Sequence, residues 1–405
     1  MKDRQPTRPG RVKITPENGE AYYATMEMAD EPTEAGTPPT KANLLTDETE
    51  TALFGSAADR TVNDAFLGIS SQLKLIMGDM ASITVTVKDH AGNSVKNALV
   101  VGVYSESGSA VYTDESGVAS GYIAEGSQTI SVTGYADLED VSKALEVVKG
   151  TTVTETLTPT RKNFLKVTSS KSIKFSGNAS TVDASVVGAG AGGERGVVSG
   201  SFVANGAGGS GGYVVITDGI EIVPNQLYPV VIGAGGKGGK SSSASTGGGD
   251  SSAFGMTAKG ATAGKVATVY NTVSNSTPSA PGTGNGVGGA GVVTSGNSNG
   301  NAGGDGKTLA YSSFSETAAY GAGGGSGALN DGTPGAGGVF GGGKGGTPAY
   351  GSEVNGEKAT ANTGSGGGGG AAFGTPADGA AGVGGDGAAG VVTMRIHFDF
   401  GDLAA

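Results

Sequence analysis

From residue 81 to residue 160 apolar and polar positions alternate with a period of two. "SITVTVKD", "ALVVGVYS", "AVYTDESGVASGYI", "GSQTISVTGY" and "TTVTETLTPT" follow one another at short intervals, separated by turn residues such as "HAGN". Alternation of this kind predicts half-buried strands, and several of them over about 80 residues predict a small Ig-like sandwich. Upstream, Pro6, Pro9, Pro16, Pro32, Pro38 and Pro39 hold residues 1–39 extended or turning. "TKANLLTDETETALFG" then reads as a helix ending at Gly55. "TVNDAFLGISSQLKLIMG" reads as a second, with Thr61 as N-cap and Gly78 just past its end. Val62, Phe66, Ile69, Leu73 and Ile76 are spaced 4-3-4-3 along it. That seam either packs on its own domain or seeds a homotrimer. Downstream, "NFLKVTSS" and "SIKFSGNASTVDASVVG" open a third segment and "GVVTMRIHFDF" closes it. Strands at both ends predict one closed domain, and "YVVITDGIEIVPNQLYPVVIGAGG" in between reads as a hairpin.

Glycine changes this picture. Of the 79 glycines, 63 fall in residues 186–390, about a third of that stretch. Strict G-X-Y periodicity is absent and proline is sparse, so collagen is excluded.

The remaining composition narrows the chemistry. There is no Cys, which removes disulfides, thiolate nucleophiles and cysteine zinc sites. The formal net charge of -11 disfavours nucleic acid. No apolar run approaches a membrane span, and "MKDR" leads into polar sequence without the apolar core of a secretory signal. If the protein acts outside a cell, another route must take it there.

Several motifs imitate catalytic or cofactor sites. Gly188, Gly190 and Gly193 after the apolar stretch Ala184–Val187 form a literal G-x-G-x-x-G. At this glycine density, chance alone supplies about six such matches. No helix can follow Gly193, because "ERGVVSG" and "NGAGGSGG" carry glycines that each cost a helix interior about 1 kcal/mol. "AGGKGGKS" and "NAGGDGKT" end like P-loops, but Ala234 and Asn301 stand where the first glycine is required. Asp250, Asp305, Asp331 and Asp386 lack the nine-residue register of a calcium β-roll and read as turn aspartates. His90 and His397 have no triad motif around them. The expectation is a non-enzymatic protein with no cofactor and no metal.

A glycine-dense chain loses much backbone entropy on folding, so it stays disordered or gains something unusual. One ordered solution is the extended helix of three residues per turn related to polyproline II. It has no internal hydrogen bonds, so neighbouring helices must satisfy its N–H and C=O groups. A slab of such helices would present dissimilar loops, here "MTAKGATAGKVATVYNTVSNSTPSAPG", "KTLAYSSFSETAAYG", "TPAYGSEVNGEKATANTG" and "AAFGTPADG".

Two resemblances sharpen the reading. "VKDHAGNSVKNALVVGVYS" with "TDESGVASGYIAEGSQTISV" resembles the transthyretin-like repeat of carboxypeptidase regulatory and surface-adhesin modules. Asp89, Gly92, Asn93, Val95, Thr113, Asp114, Gly117, Glu125 and Gly126 match its pattern, and Ser94 departs where proline is usual. This implies a spacer. The third segment, through "NFLKVTSSKSIKFSGNASTVDASVVGAGAGG", "IEIVPNQLYPVVIGAGGKGG" and "GAAGVVTMRIHF", resembles the glycine-rich domain of tailed-phage tail fibres and adhesins. Residues 1–49 resemble the N-terminal segment of phage and prophage tail proteins from Gram-positive hosts.

The expected fold is mainly β. It comprises an extended and helical virion anchor (1–78), an Ig-like, carboxypeptidase-regulatory-like sandwich as spacer (79–160), and a β-framed, glycine-rich polyglycine-II sandwich (161–405). The resemblance implies a tail fibre or baseplate-tip protein of the virion. It would attach through residues 1–78 to other tail proteins, be released by lysis, and bind a bacterial cell-surface glycan or protein. Tyr270, Tyr311, Phe314, Tyr320, Tyr350 and Phe373 are the receptor-contact candidates, since aromatics stack on sugars and bury area at low entropy cost. Each could instead be a wedge that fills the slab, a role more natural for Phe254 and Phe340 beside glycine runs. The alternatives are a passive collar, whisker or head fibre, and a cell-wall glycan depolymerase.

Overall fold

A computed structural model describes residues 11–14, 22–25, 66, 67, 69, 80–199, 202–268, 276–294, 296–308, 319–348, 355–374 and 380–399. In the first segment β1 (Arg11–Ile14) and β2 (Tyr22–Thr25) pair antiparallel. Phe66, Leu67 and Ile69 are helical and exposed. Val62, Leu73 and Ile76 of the proposed seam, and the helix expected over 40–55, lie outside the described residues.

The second segment forms the expected strands. These are β3 (Met80–Val87), β4 (Leu99–Tyr104), β5 (Ala110–Tyr112), β6 (Val118–Ala124), β7 (Gly126–Val132), β8 (Val141–Val147) and β9 (Thr152–Leu157). Their order is β8-β7-β4-β6-β3-β9, with β5 beside β4. All pairs are antiparallel except β3 with β9. Along β3 the alternation is literal: Ala81, Ile83, Val85 and Val87 are buried, and Ser82, Thr84 and Thr86 are half-buried. Ile123, Ile130, Leu138 and Leu157 complete this side-chain core. β4 changes partners along its length. Gly102 makes the change possible, with φ +91° and room for no Cβ beside the Thr129 carbonyl.

The motif residues of this module hold turns. Asp89 accepts the amides of Ala91 and Asn93, at 2.9 and 2.8 Å. Asp114 accepts those of Ser116 and Val118, and Thr113 Oγ1 bridges the Val95 carbonyl and the Ala98 amide. These are short polar side chains replacing backbone partners in tight turns.

The module is keyed to the third segment by buried polar groups. Asp137 accepts the amide and hydroxyl of Ser176, while Asn178 receives the Lys96 amide (2.8 Å) and donates to the Ser94 carbonyl. Tyr135 Oη donates to Asn225 Oδ1 and accepts the Leu99 amide. Arg161, almost wholly buried, reaches Asp89 with its Nε at 2.7 Å and stacks on Phe398. Such a joint resists bending, because opening it leaves several buried polar groups without partners.

The third segment contributes β10 (Phe164–Val167), β11 (Lys171–Ile173), β12 (Ala179–Val187), the hairpin β13 (Val197–Ser199) and β14 (Phe202–Ala204), then β15 (Val214–Glu221) and β16 (Tyr228–Val230). Short pieces follow: β17 (Ser251–Ala253), β18 (Met256–Ala258), β19 (Val293–Thr294), β20 (Lys307–Thr308), β21 (Ala319–Tyr320), β22 (Ala372–Phe373) and β23 (Ala380–Ala381). The closing strand is β24 (Val391–Phe398). The main sheet runs β10-β24-β12-β15 and closes the segment on itself. Val182, Ala184, Val186, Val392, Met394 and Ile396 are buried in its core with Phe175. The expected hairpin of "YVVITDGIEIVPNQLYPVV" does not form. β15 pairs with β12, whereas β16 pairs with β11. Between them Asn225, at φ +62°, donates its amide to the Phe175 carbonyl and turns the chain towards a different sheet.

Between these strands the glycine-rich chain runs back and forth in short extended segments. Run 188–196 shows the rule. Gly188, Ala191 and Glu194 donate to carbonyls of run 204–213; Ala189 and Gly192 donate to run 245–250; Gly190, Gly193 and Gly196 donate to run 381–390. Bonding direction therefore repeats every three residues, the signature of the three-residue helix. In return the run accepts amides from runs 232–240, 258–268 and 363–372, so six neighbours surround it. Among the described residues four runs are ringed in this way: 188–196, 204–213, 320–329 and 363–372. Ten peripheral runs enclose them. The inner glycines have no room for a side chain: a Cβ on Gly208 would lie 1.9 Å from the Gly324 carbonyl oxygen, and one on Gly366 1.9 Å from that of Gly209. Strands and glycine runs join without a break. β12 continues into run 188–196, run 204–213 into β15, and run 381–390 into β24.

Candidate functional site

The slab has two ends, and the loops divide between them. At the end continuous with the main sheet lie the β17–β18 hairpin and the β20–β21 pair. At the opposite end β13, β14 and β19 form a small sheet beside the β22–β23 pair, over a cluster of Val203, Leu329 and Ala372. The described flanks of three of the dissimilar loops stand at this far end. Residues 269–275 are closed off by the pairing of Thr268 with Thr277, and Ser279 Oγ donates to the Asn205 carbonyl just after β14. Residues 349–354 leave from Gly346, bonded to Gly369, and return at Asn355, whose Oδ1 accepts the Val383 amide at 2.9 Å. Residues 375–379 lie within the β22–β23 pair, where the Gly374 amide meets Asn330 Oδ1.

The predicted contact residues divide in the same way. Tyr270, Tyr311, Phe314 and Tyr350 lie outside the described residues, in segments whose flanks are fixed. The described flanks Thr268, Thr277 and Asn355 stand at the far end, and Thr308 and Ala319 at the sheet end. Phe373 is half-buried on β22, at the far end. Tyr320 is only 5% exposed; it packs on Val187 and Val391 under Lys166, and so takes the wedge role rather than a contact role. Phe254 packs with Phe175 and Tyr228 against the core of the main sheet rather than among the glycine runs. Phe340 is not a wedge: at φ +69° in a turn it is 45% exposed, because the turn directs its side chain away from the slab.

The glycines that imitated a cofactor loop have their amides committed to lattice carbonyls. The turn aspartates cap neighbouring runs: Asp250 accepts the Gly260 amide, Asp305 that of Val339, and Asp386 that of Gly238. His397 pairs with Asp183 at 2.7 Å, and His90 Nδ1 accepts the Arg161 amide at 3.4 Å. Burial alone would raise the Asp183 carboxyl, but His397 and the Gly219 amide outweigh it and hold it below the ordinary carboxylate value.

A flank of the slab carries groups that the motif reading passed over. Lys237 and Lys358 both approach Asp386 Oδ2, at 3.5 and 3.9 Å, beside an open cleft of about 390 Å³. Burial would raise the Asp386 carboxyl. The Gly238 amide and the two ammonium groups prevail and lower it. The signal was in the sequence as a period of three. On outer runs the non-glycine positions recur as Ala234, Lys237 and Lys240, as Thr333, Ala336 and Val339, and as Val383, Asp386 and Ala389. These are the outward positions, and none of them is buried.

The profile of a glycine-rich domain family matches residues 166–397. No curated protein matches the chain. Among solved structures, a DUF3823 family protein from Parabacteroides merdae is similar at 11% identity over 38% of this chain and 90% of its own, with a TM-score of 0.18. Another, from Bacteroides ovatus, is similar at 16% identity over 37% and 87%, with a TM-score of 0.16. Scores this low carry no functional argument.

Proposed function

This chain belongs to the glycine-rich domain family, and from that premise we propose that it is a virion tail-fibre or baseplate-tip protein that binds a host cell surface through loops on a glycine scaffold. One observation carries the reading. Module, sheet and slab follow one another in order along β12 and run 188–196. The nine residues of β12 begin beside the module, and run 188–196 carries the same direction on to the far end. At about 3.3 Å per strand residue and 3.1 Å per helix residue, β12 and run 188–196 together span roughly 55 Å from the joint. A stiff projection tipped with dissimilar loops suits recognition at a distance. Most amides inside the slab are tied to a neighbouring run, which gives the loops a firm base.

The test uses the full chain and the bacterium that its particle infects. Pre-incubating cells with purified protein should block adsorption. Replacing 269–275, 349–354 and 375–379 with Gly/Ser of equal length should abolish the block, while the same replacement of 309–318 should leave it intact. Unchanged adsorption by particles carrying the triple replacement overturns the proposal in favour of a passive fibre. Release of soluble sugar from cell-wall glycan overturns it in favour of a depolymerase.

A further inference from the structure

Runs 232–240, 381–390 and 355–361 lie side by side as one outer face. Gly384, Gly387 and Gly390 donate to the carbonyls of Gly239, Gly236 and Gly233, while Gly356 and Ala359 donate to those of Val383 and Asp386. Three residues per turn then bring Lys237, Asp386 and Lys358 to the same level, one from each run. Ala234 and Ala389 line the cleft about one turn further on, and Asn362 lines it too.

Run 381–390 has neighbours on only part of its circumference. Its amides at 382, 385 and 388 go to run 363–372 and those at 384, 387 and 390 go to run 232–240. The third direction is only partly used: the Val383 amide meets Asn355 Oδ1, whereas the amides of Asp386 and Ala389, both lining the cleft, have no acceptor among the described residues. The cleft therefore offers two ammonium groups, one carboxylate already holding the Gly238 amide, two unused N–H donors and a floor of methyl groups. Locally the balance is positive, on a chain of net charge -11. The two lysines are exposed and both ion pairs are at the long end of the range, so they are weak and yield readily to a better anion.

We propose that this cleft binds a phosphate- or carboxylate-bearing saccharide. The anionic group would take the ammonium groups of Lys237 and Lys358 and the free amides, and the C–H face of the sugar ring would lie on the alanine floor. A volume of about 390 Å³ is at the small end of ligand sites and suits one or two sugar rings. The site stands apart from the far-end loops and does not depend on their function.

The test is titration calorimetry of the full chain at low salt with four probes: glucose 1-phosphate, glucuronate, glucose and inorganic phosphate. Glucose 1-phosphate and glucuronate should each bind roughly tenfold more tightly than glucose or phosphate alone, showing that charge and ring are both read. The double variant Lys237→Gln/Lys358→Gln should lose roughly tenfold for the anionic sugars and nothing for glucose. Asp386→Asn keeps an acceptor for Gly238, removes the competing charge, and should tighten anionic sugars about threefold. A purely structural role for Asp386 would not produce that gain. Response to one anionic sugar alone narrows the site to phosphate or to carboxylate. Equal affinity for phosphate and glucose 1-phosphate, or no difference between the double variant and the native chain, overturns the proposal. The loop-replaced chain should still bind the anionic sugars, which separates this result from that of the adsorption test.

Discussion

The sandwich module and the glycine slab solve one problem in opposite ways. In the module each strand bonds to its neighbours within a sheet, and stability comes from side chains such as Ile83, Ile123 and Leu157 packed between. In the slab the interior has almost no side chains. Bonds leave each inner run in six directions, and glycine lets backbones approach until a methyl group has no room. Apolar burial is replaced by close backbone contact and by hydrogen bonds from most N–H groups to carbonyls of neighbouring runs. The module therefore tolerates changes of backbone identity and is sensitive to loss of side-chain volume. The slab should be sensitive to the smallest addition.

The largest effects should show this reversal directly. Gly208→Ala adds one methyl group against a fixed carbonyl and should cost about 3 kcal/mol or more, because backbone cannot step aside as a side chain can. Ile83→Ala removes volume from the module and should cost about 2–5 kcal/mol. Urea unfolding measures both, and a loss below about 1 kcal/mol for Gly208→Ala would break the comparison.

A smaller effect tests the joint between the two regions. Burial raises the Asp137 carboxyl above its ordinary value, with the Ser176 hydrogen bonds and Lys162 only partly opposing it. The native state then holds a proton that the unfolded chain releases. Stability should fall as pH rises from the ordinary carboxylate value, about 4, through the raised one. Asp137→Asn should remove that slope. Unfolding midpoints measured across the acid range would show it, and an unchanged slope would assign the dependence to other carboxyls.

The smallest effect concerns the rim of the slab. Asp305→Ala removes the acceptor of the Val339 amide at an exposed run end and should cost only about 0.5–1 kcal/mol. Hydrogen exchange at Val339 should quicken while the amides of Gly208 and Gly324 stay protected. Equal loss at all three would mean that the slab opens as one unit rather than fraying from its rim.

The sequence alone determined the β character of residues 80–157, because period-two alternation places alternate side chains on opposite faces of a strand whatever packs upon them. It also offered the extended three-residue helix as one ordered solution for glycine runs framed by strands, with disorder as the alternative, and the bonding pattern of the slab decided between them. Part of the flank cleft was legible too, in the three-residue spacing of Lys237 and Lys240 and of Val383, Asp386 and Ala389. Tertiary structure decided the remainder. Which runs are inner, which loops share an end, that Tyr320 is buried while Phe340 is exposed, and that β16 leaves β15 for β11 all depend on neighbours distant in the chain. Glycine explains this limit: without a side chain, one run carries almost no mark of which other run it will meet. Its partner is chosen by register passed on from β12, β15 and β24, where side chains do distinguish one strand from another.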